Sequence, residues 1–133
     1  MNREEYIRMF KIEVSHWWYV GMKNISMGIL GNVLQKDKQY EILDTGCGTG
    51  QMMKELSVFG DITGIDFVEI AVAFCKQRGI QKVHLGSVDN LPFENNQFDL
   101  VTSFDVLCQL GVQSDAKPLQ EFARVLKNDE LLL

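Results

Sequence analysis

The chain has little of what marks a disulfide-built or metal-built protein. Its three cysteines, Cys47, Cys75 and Cys108, are odd in number and widely spaced, and no CxxC or Cys/His cluster occurs. That argues against a disulfide framework and against a zinc site, so no metal is expected. Free thiols fit a reducing, cytoplasmic setting. Two prolines in 133 residues point to long elements and short loops. Basic residues are scattered, with no run or stripe, and the formal net charge is −5. This balance argues against nucleic acid and other polyanions as partners. No apolar run reaches the length of a membrane span. The opening "MNREEYIRMFK" mixes charges of both signs and does not read as a secretory leader.

What is present is ordinary globular material. The chain is 46% hydrophobic and 23% charged, enough for a packed core without staples. The length predicts a single domain over residues 1–133.

Residues 3–20 carry Tyr6, Met9, Phe10, Val14, Trp17 and Trp18 at spacings of three and four, which predicts one amphipathic helix. Gly21 is expected to interrupt it, and helical spacing resumes from Met22 to Leu34. Strands are expected at 40–46, 61–66, 81–87 and 98–105, and a fifth starts at "LLL", 131–133. Helices are expected at 50–59, 67–79 and 115–127, with "NDE" as a turn after the last. From residue 40 strands and helices alternate. That pattern predicts an α/β fold, a parallel sheet covered on both faces with right-handed crossovers. Ligands in such sheets bind at the carboxyl ends of the strands.

The first strand ends there in "ILDTGCGTG", residues 42–50, with Gly46, Gly48 and Gly50 in five positions. A tight turn explains one glycine; three alternating ones suggest close approach of a ligand. A P-loop needs GxxxxGK[ST], and that lysine is missing. The dinucleotide fingerprint GxGxxG needs glycine at position 51, which is Gln51. Asp44, two residues before Gly46, would repel a pyrophosphate and suit an ammonium. Asp66 ends the second strand, 20 residues after Gly46, where an acid accepts from two ribose hydroxyls. The same aspartate also suits an N-cap of the next helix, and the two roles are compatible.

Later segments read "GSVDNLPF", "FDLVTSFDVLCQL" and "EFARVLKNDELLL". In order and spacing, with "ILDTGCGTG" and "GID", they resemble the class I S-adenosylmethionine-dependent methyltransferases. The resemblance is to the small-molecule type, near the quinone-biosynthesis enzymes. It implies a Rossmann-like core over 40–133 behind an N-terminal helical lid, 1–36. It implies S-adenosylmethionine as cofactor, with S-adenosylhomocysteine as product, and a small-molecule acceptor. By that resemblance Gly46, Cys47, Gly48 and Gly50 hold the amino-acid part, Asp44 orients its ammonium and Asp66 binds the ribose. Phe67 lies beside the adenine, Ser87 and Val88 supply adenine contacts, and Ser103 and Phe104 line the sulfonium side. Many relatives carry aspartate where this chain has Ser87, a weaker, uncharged partner.

"HWWYVGMK", residues 16–23, is the second dense feature. An aromatic face attracts a sulfonium, so either Trp17 or Trp18 is expected to shield the cofactor. His16 reads as a surface or lid residue and His84 as structural. Methyl transfer needs alignment more than acid–base help, so no catalytic base is assigned. Asp105 and Cys108 fall on the expected substrate side; several relatives carry histidines at Cys108 and Gln109. No (D/N)PPY motif follows strand four, which argues against amino-methylation of DNA bases.

Relatives of this type continue past strand five, whereas this sequence stops within it. The expectation is a fold truncated after strand five. A shortened product, a sheet completed by a second copy through that edge, and a cofactor-binding interaction module without transfer activity all fit.

Overall fold

The computed structural model describes residues 1–107 and 116–133. The element order is α1 (Arg3–Ile12), α2 (Trp17–Val33), β1 (Tyr40–Thr45), α3 (Gln51–Leu56), β2 (Gly60–Asp66), α4 (Glu69–Gln77), β3 (Val83–Leu85), β4 (Phe98–Ser103), α5 (Ala116–Val125) and β5 (Leu126–Leu132). All ladders are parallel and the strand order is β3-β2-β1-β4-β5. The order reverses at β1, so the carboxyl ends of β1, β2 and β4 surround a crevice, the expected ligand position.

The pleat divides the apolar residues between two faces. Ile42, Ile62 and Leu100 face a layer that includes Leu30 and Leu34 at the end of α2 and Leu56 of α3. Leu43, Ile65 and Val101 face Phe122 and Val125 of α5 and Val88 and Leu91 of the loop before β4. A third cluster joins α3 and α4 through Met53, Val72 and Cys75. With both faces covered, β1 and β4 read as near-continuous apolar runs, as buried parallel strands should.

The N-terminal region departs from the expected single helix. The break lies at residues 13–16, not at Gly21, which sits inside α2. Ser15 Oγ donates to the Ile12 carbonyl at 3.3 Å, and the His16 ring accepts from Trp18 N at 3.4 Å. These local side-chain bonds compete with helix continuation, and His16 caps α2. α1 starts in a capping box: Asn2 accepts from Glu5 N, and Glu5 accepts from Asn2 N.

Two other boundaries differ. Residues 57–59 form a 3-10 turn after a shorter α3. β5 begins at Leu126, directly from α5, not at Leu131. Its register jumps from Phe98↔Leu126 to Leu100↔Leu131, so β5 advances five residues where β4 advances two, with Asp129 at φ 61. The expected "NDE" turn is therefore a bulge within the edge strand. Leu131 and Leu132 are exposed on that edge.

Candidate functional site

The glycine loop leaves β1 with three left-handed residues, Gly46, Gly48 and Gly50, at φ 64, 55 and 86. They serve different ends. A Cβ on Gly50 would lie 2.7 Å from Ile80 Cδ1 and 2.9 Å from Cys75 Sγ, so its space is taken by protein. Gly50 does not line the cavity; it lets the loop pack on α4. A Cβ on Gly48 would meet only the tip of Met9, at 3.1 Å. Gly46 and Gly48 line a cavity of about 450 Å³ at the carboxyl ends of the strands, a size suited to a small-molecule ligand.

Asp66 is buried and ties the loop to β2. Its Oδ2 accepts from Gly48 N at 2.9 Å; its Oδ1 accepts from Val68 N at 3.0 Å and from the Tyr6 hydroxyl at 3.4 Å. Burial raises its carboxyl above the usual range, against the lowering by the Gly48 and Val68 amides. The same contacts raise the Tyr6 hydroxyl, burial first and Asp66 second. The capping role of Asp66 is thus real, as the Val68 bond shows, and it coexists with a place in the cavity wall.

Asp44 is fully buried and accepts from the Thr102 hydroxyl at 2.7 Å across the β1–β4 ladder. Burial pushes its carboxyl up to about 7; the nearby Asp66 adds to this and Thr102 opposes it. An ammonium placed here would restore the charged form.

Cys47 lines the cavity, while its Sγ lies 3.9 Å from Cys75 Sγ in the α3–α4 cluster. Val88, Ser87 and Phe67 line the cavity as well; Val88 is buried, and Phe67 is 52% exposed at the rim. The segment carrying Ser87 and Val88 runs into a loop held by Arg124. Arg124 donates to the Leu91 and Phe93 carbonyls, and Glu121 accepts from Leu91 N. This gives "LPF" and "RVLK" a joint structural reason.

Phe104 and Asp105 also line the cavity. Ser103 does not: its backbone pairs with Leu133, and its Oγ is buried with no partner among the described residues. Trp18 stands on the cavity wall at 47% exposure, whereas Trp17 is 74% exposed and outside it. Adjacent helical residues point about 100° apart, so only one of the two reaches the ligand. Cys108 lies outside the described residues.

Sequence reasoning missed four cavity residues, Tyr6, Met9, Glu13 and Lys23. Lys23 is half-buried and makes no ion pair or hydrogen bond among the described residues. It is the one Lys or Arg among the described residues of the wall, against five carboxylates: Glu13, Asp44, Glu55, Asp66 and Asp105. Such a wall repels a pyrophosphate and suits a ligand with cationic centres. Among the described residues no group of His, Cys, Asp and Glu is placed to hold a metal ion, and no helix is long and apolar enough to cross a membrane.

An order-reversing parallel sheet, a glycine loop after β1 and acids at the ends of β1 and β2 define the Rossmann-like fold of S-adenosylmethionine-dependent methyltransferases. The chain belongs to the methyltransferase-domain family, whose model matches residues 43–133. It is 29% identical over 113 residues to the uncharacterized methyltransferase YcgJ of Bacillus subtilis, covering 77% of this chain and 43% of that one. It is 40% identical over 94 residues to the demethylmenaquinone methyltransferase of Staphylococcus haemolyticus, covering 64% of this chain and 38% of that one. A solved methyltransferase of Methanosarcina mazei superposes with a TM-score of 0.70 at 26% identity, over 78% of this chain and 54% of that chain. The chain thus spans about two fifths of the length of these two curated relatives.

Proposed function

We propose that this chain binds S-adenosylmethionine and takes part in methyl transfer to a small-molecule acceptor in the cytoplasm. The observation that carries the reading is the glycine loop over a carboxylate-lined cavity, flanked by Asp44 and Asp66 at adjacent strand ends. The cofactor supplies a methyl group already activated on a sulfonium. Asp44 would hold its ammonium and Lys23 its carboxylate. Asp66 would accept from the ribose hydroxyls, with Ser87, Val88 and Phe67 at the adenine end. The residues then position and shield; no proton shuttle is needed for the transfer itself. Trp18, Tyr19, Met22, Met52 and Phe104 give the remaining wall an apolar, aromatic character. That character supports a small, largely apolar acceptor.

Calorimetric titration with S-adenosylhomocysteine tests the cofactor. One-to-one binding supports the reading, and none by a folded sample sinks it. Transfer of label from methyl-labelled cofactor to candidate acceptors tests the reaction.

Two expectations are specific. Lys23→Met should weaken S-adenosylhomocysteine by about tenfold, the loss of one charge-assisted contact. Unchanged affinity would place the carboxylate elsewhere. The second concerns pH. Asp44 ionises near its ordinary 3.8 when unfolded but keeps its proton up to about 7 when folded. Folding stability should therefore fall as pH rises between those values. Ammonium binding requires ionised Asp44, so affinity for S-adenosylhomocysteine should rise as pH passes upward through about 7. Titrations from below to above neutrality should show that slope in the native chain and lose it in Asp44→Asn.

A further inference from the structure

α1 lies on the cavity by one face. Tyr6, Met9 and Glu13, at helical spacings of three and four, reach Asp66, the space beside Gly48, and Thr49. Yet α1 has little to hold it there. Tyr6 is the one residue within it that is buried, and a ten-residue helix is marginal in water by itself.

The hold comes from beyond its end. Glu13 is buried and accepts from both the Arg78 guanidinium and the Thr49 hydroxyl. Arg78 caps the end of α4 and uses its whole fork: Nε donates to the Thr49 carbonyl at 2.8 Å and another nitrogen to Gln51 Oε1 at 2.9 Å. Its plane lies 4.3 Å over the Phe10 ring, and Phe10 stacks on Phe74 at 4.4 Å. One guanidinium thus joins the lid helix, the glycine loop and α4. A charge so placed has no good alternative partner if the pair opens.

We propose that Glu13 and Arg78 latch α1 over the glycine loop, and that this latch sets how long a bound cofactor stays. The inference rests on the cofactor reading above. Both are positioning residues: they act through α1, which places Tyr6 and Met9 on the cavity.

The test is stopped-flow dissociation of S-adenosylhomocysteine, read by tryptophan fluorescence since Trp18 lines the cavity. It is paired with hydrogen exchange of the α1 amides. Arg78→Met should speed dissociation by about tenfold or more with association little changed, because buried pairs are costly to break. Arg78→Lys keeps the charge but not the fork and should fall between; it carries the test if Arg78→Met does not fold. In both variants α1 amides should exchange faster, while those of β1 and β4 stay protected. A purely structural pair would lower thermal stability and leave dissociation unmoved. Folded variants with native dissociation rates, or with α1 amides as protected as before, overturn the latch. Failure of the unaltered chain to bind S-adenosylhomocysteine instead removes the cofactor reading and the residence-time claim with it. Hydrogen exchange then judges the attachment of α1 alone.

Discussion

Replacing Asp66 by alanine is expected to cut affinity for S-adenosylhomocysteine by a hundredfold or more. Two hydroxyl contacts to a charged acceptor are worth about 3 kcal/mol together at the low end, and about 1.4 kcal/mol is tenfold. The substitution also strips the acceptor from Gly48 N and Val68 N. A buried amide left without a partner costs about 1–3 kcal/mol, so the loop should loosen and the melting temperature fall. Asp66→Asn separates the two effects. It keeps one acceptor oxygen, so more of the stability than of the affinity should survive. Calorimetry and thermal melts on both variants decide it. Affinity within threefold of native in Asp66→Ala would mean that the ribose lies elsewhere.

The largest effect on folding is expected at Gly60, far from the cavity. Gly60 opens β2 opposite Tyr40, and a Cβ there would overlap the Tyr40 carbonyl oxygen and amide nitrogen. The obstacle is backbone, which cannot rotate away like a side-chain tip. Gly60→Ala must therefore spread the central β1–β2 ladder. The expected loss is above about 4 kcal/mol, a large part of the roughly 5–15 kcal/mol that holds a domain together. Far-UV circular dichroism and melting would show little or no cooperative transition. A native-like melt would mean that β2 can start one residue later without harm.

The sequence carries the sheet plainly. Five apolar stretches with helices between them fix a parallel α/β architecture, and Asp44, Gly46, Gly48 and Asp66 lie at strand ends that topology brings together. What it hides is long-range. Periodicity says that Tyr6, Met9 and Glu13 share a helix face, not that the face covers the glycine loop. Glu13 meets Arg78 across 65 residues, and no local pattern announces that pair. The break at residues 13–16 was missed because Gly21 is the stronger local breaker, whereas the deciding bonds come from Ser15 and His16. Gly50 resembles its neighbours in the motif, but Ile80 and Cys75 occupy its space. The irregular β5 follows from pairing with β4, where Leu126 and Leu131 both find partners only if the residues between them bulge.

The contact between Tyr6 and Asp66 has a thermodynamic consequence. A carboxylate offers about four lone-pair sites, and at least three on Asp66 are already engaged within the protein. A diol arriving there cannot simply add two hydrogen bonds. Its second hydroxyl must take the place of the Tyr6 phenol, so the gain at Asp66 is an exchange. The free protein is correspondingly less strained by an empty acid, and selectivity rests on how much better a ligand's hydroxyl fits than the phenol it replaces.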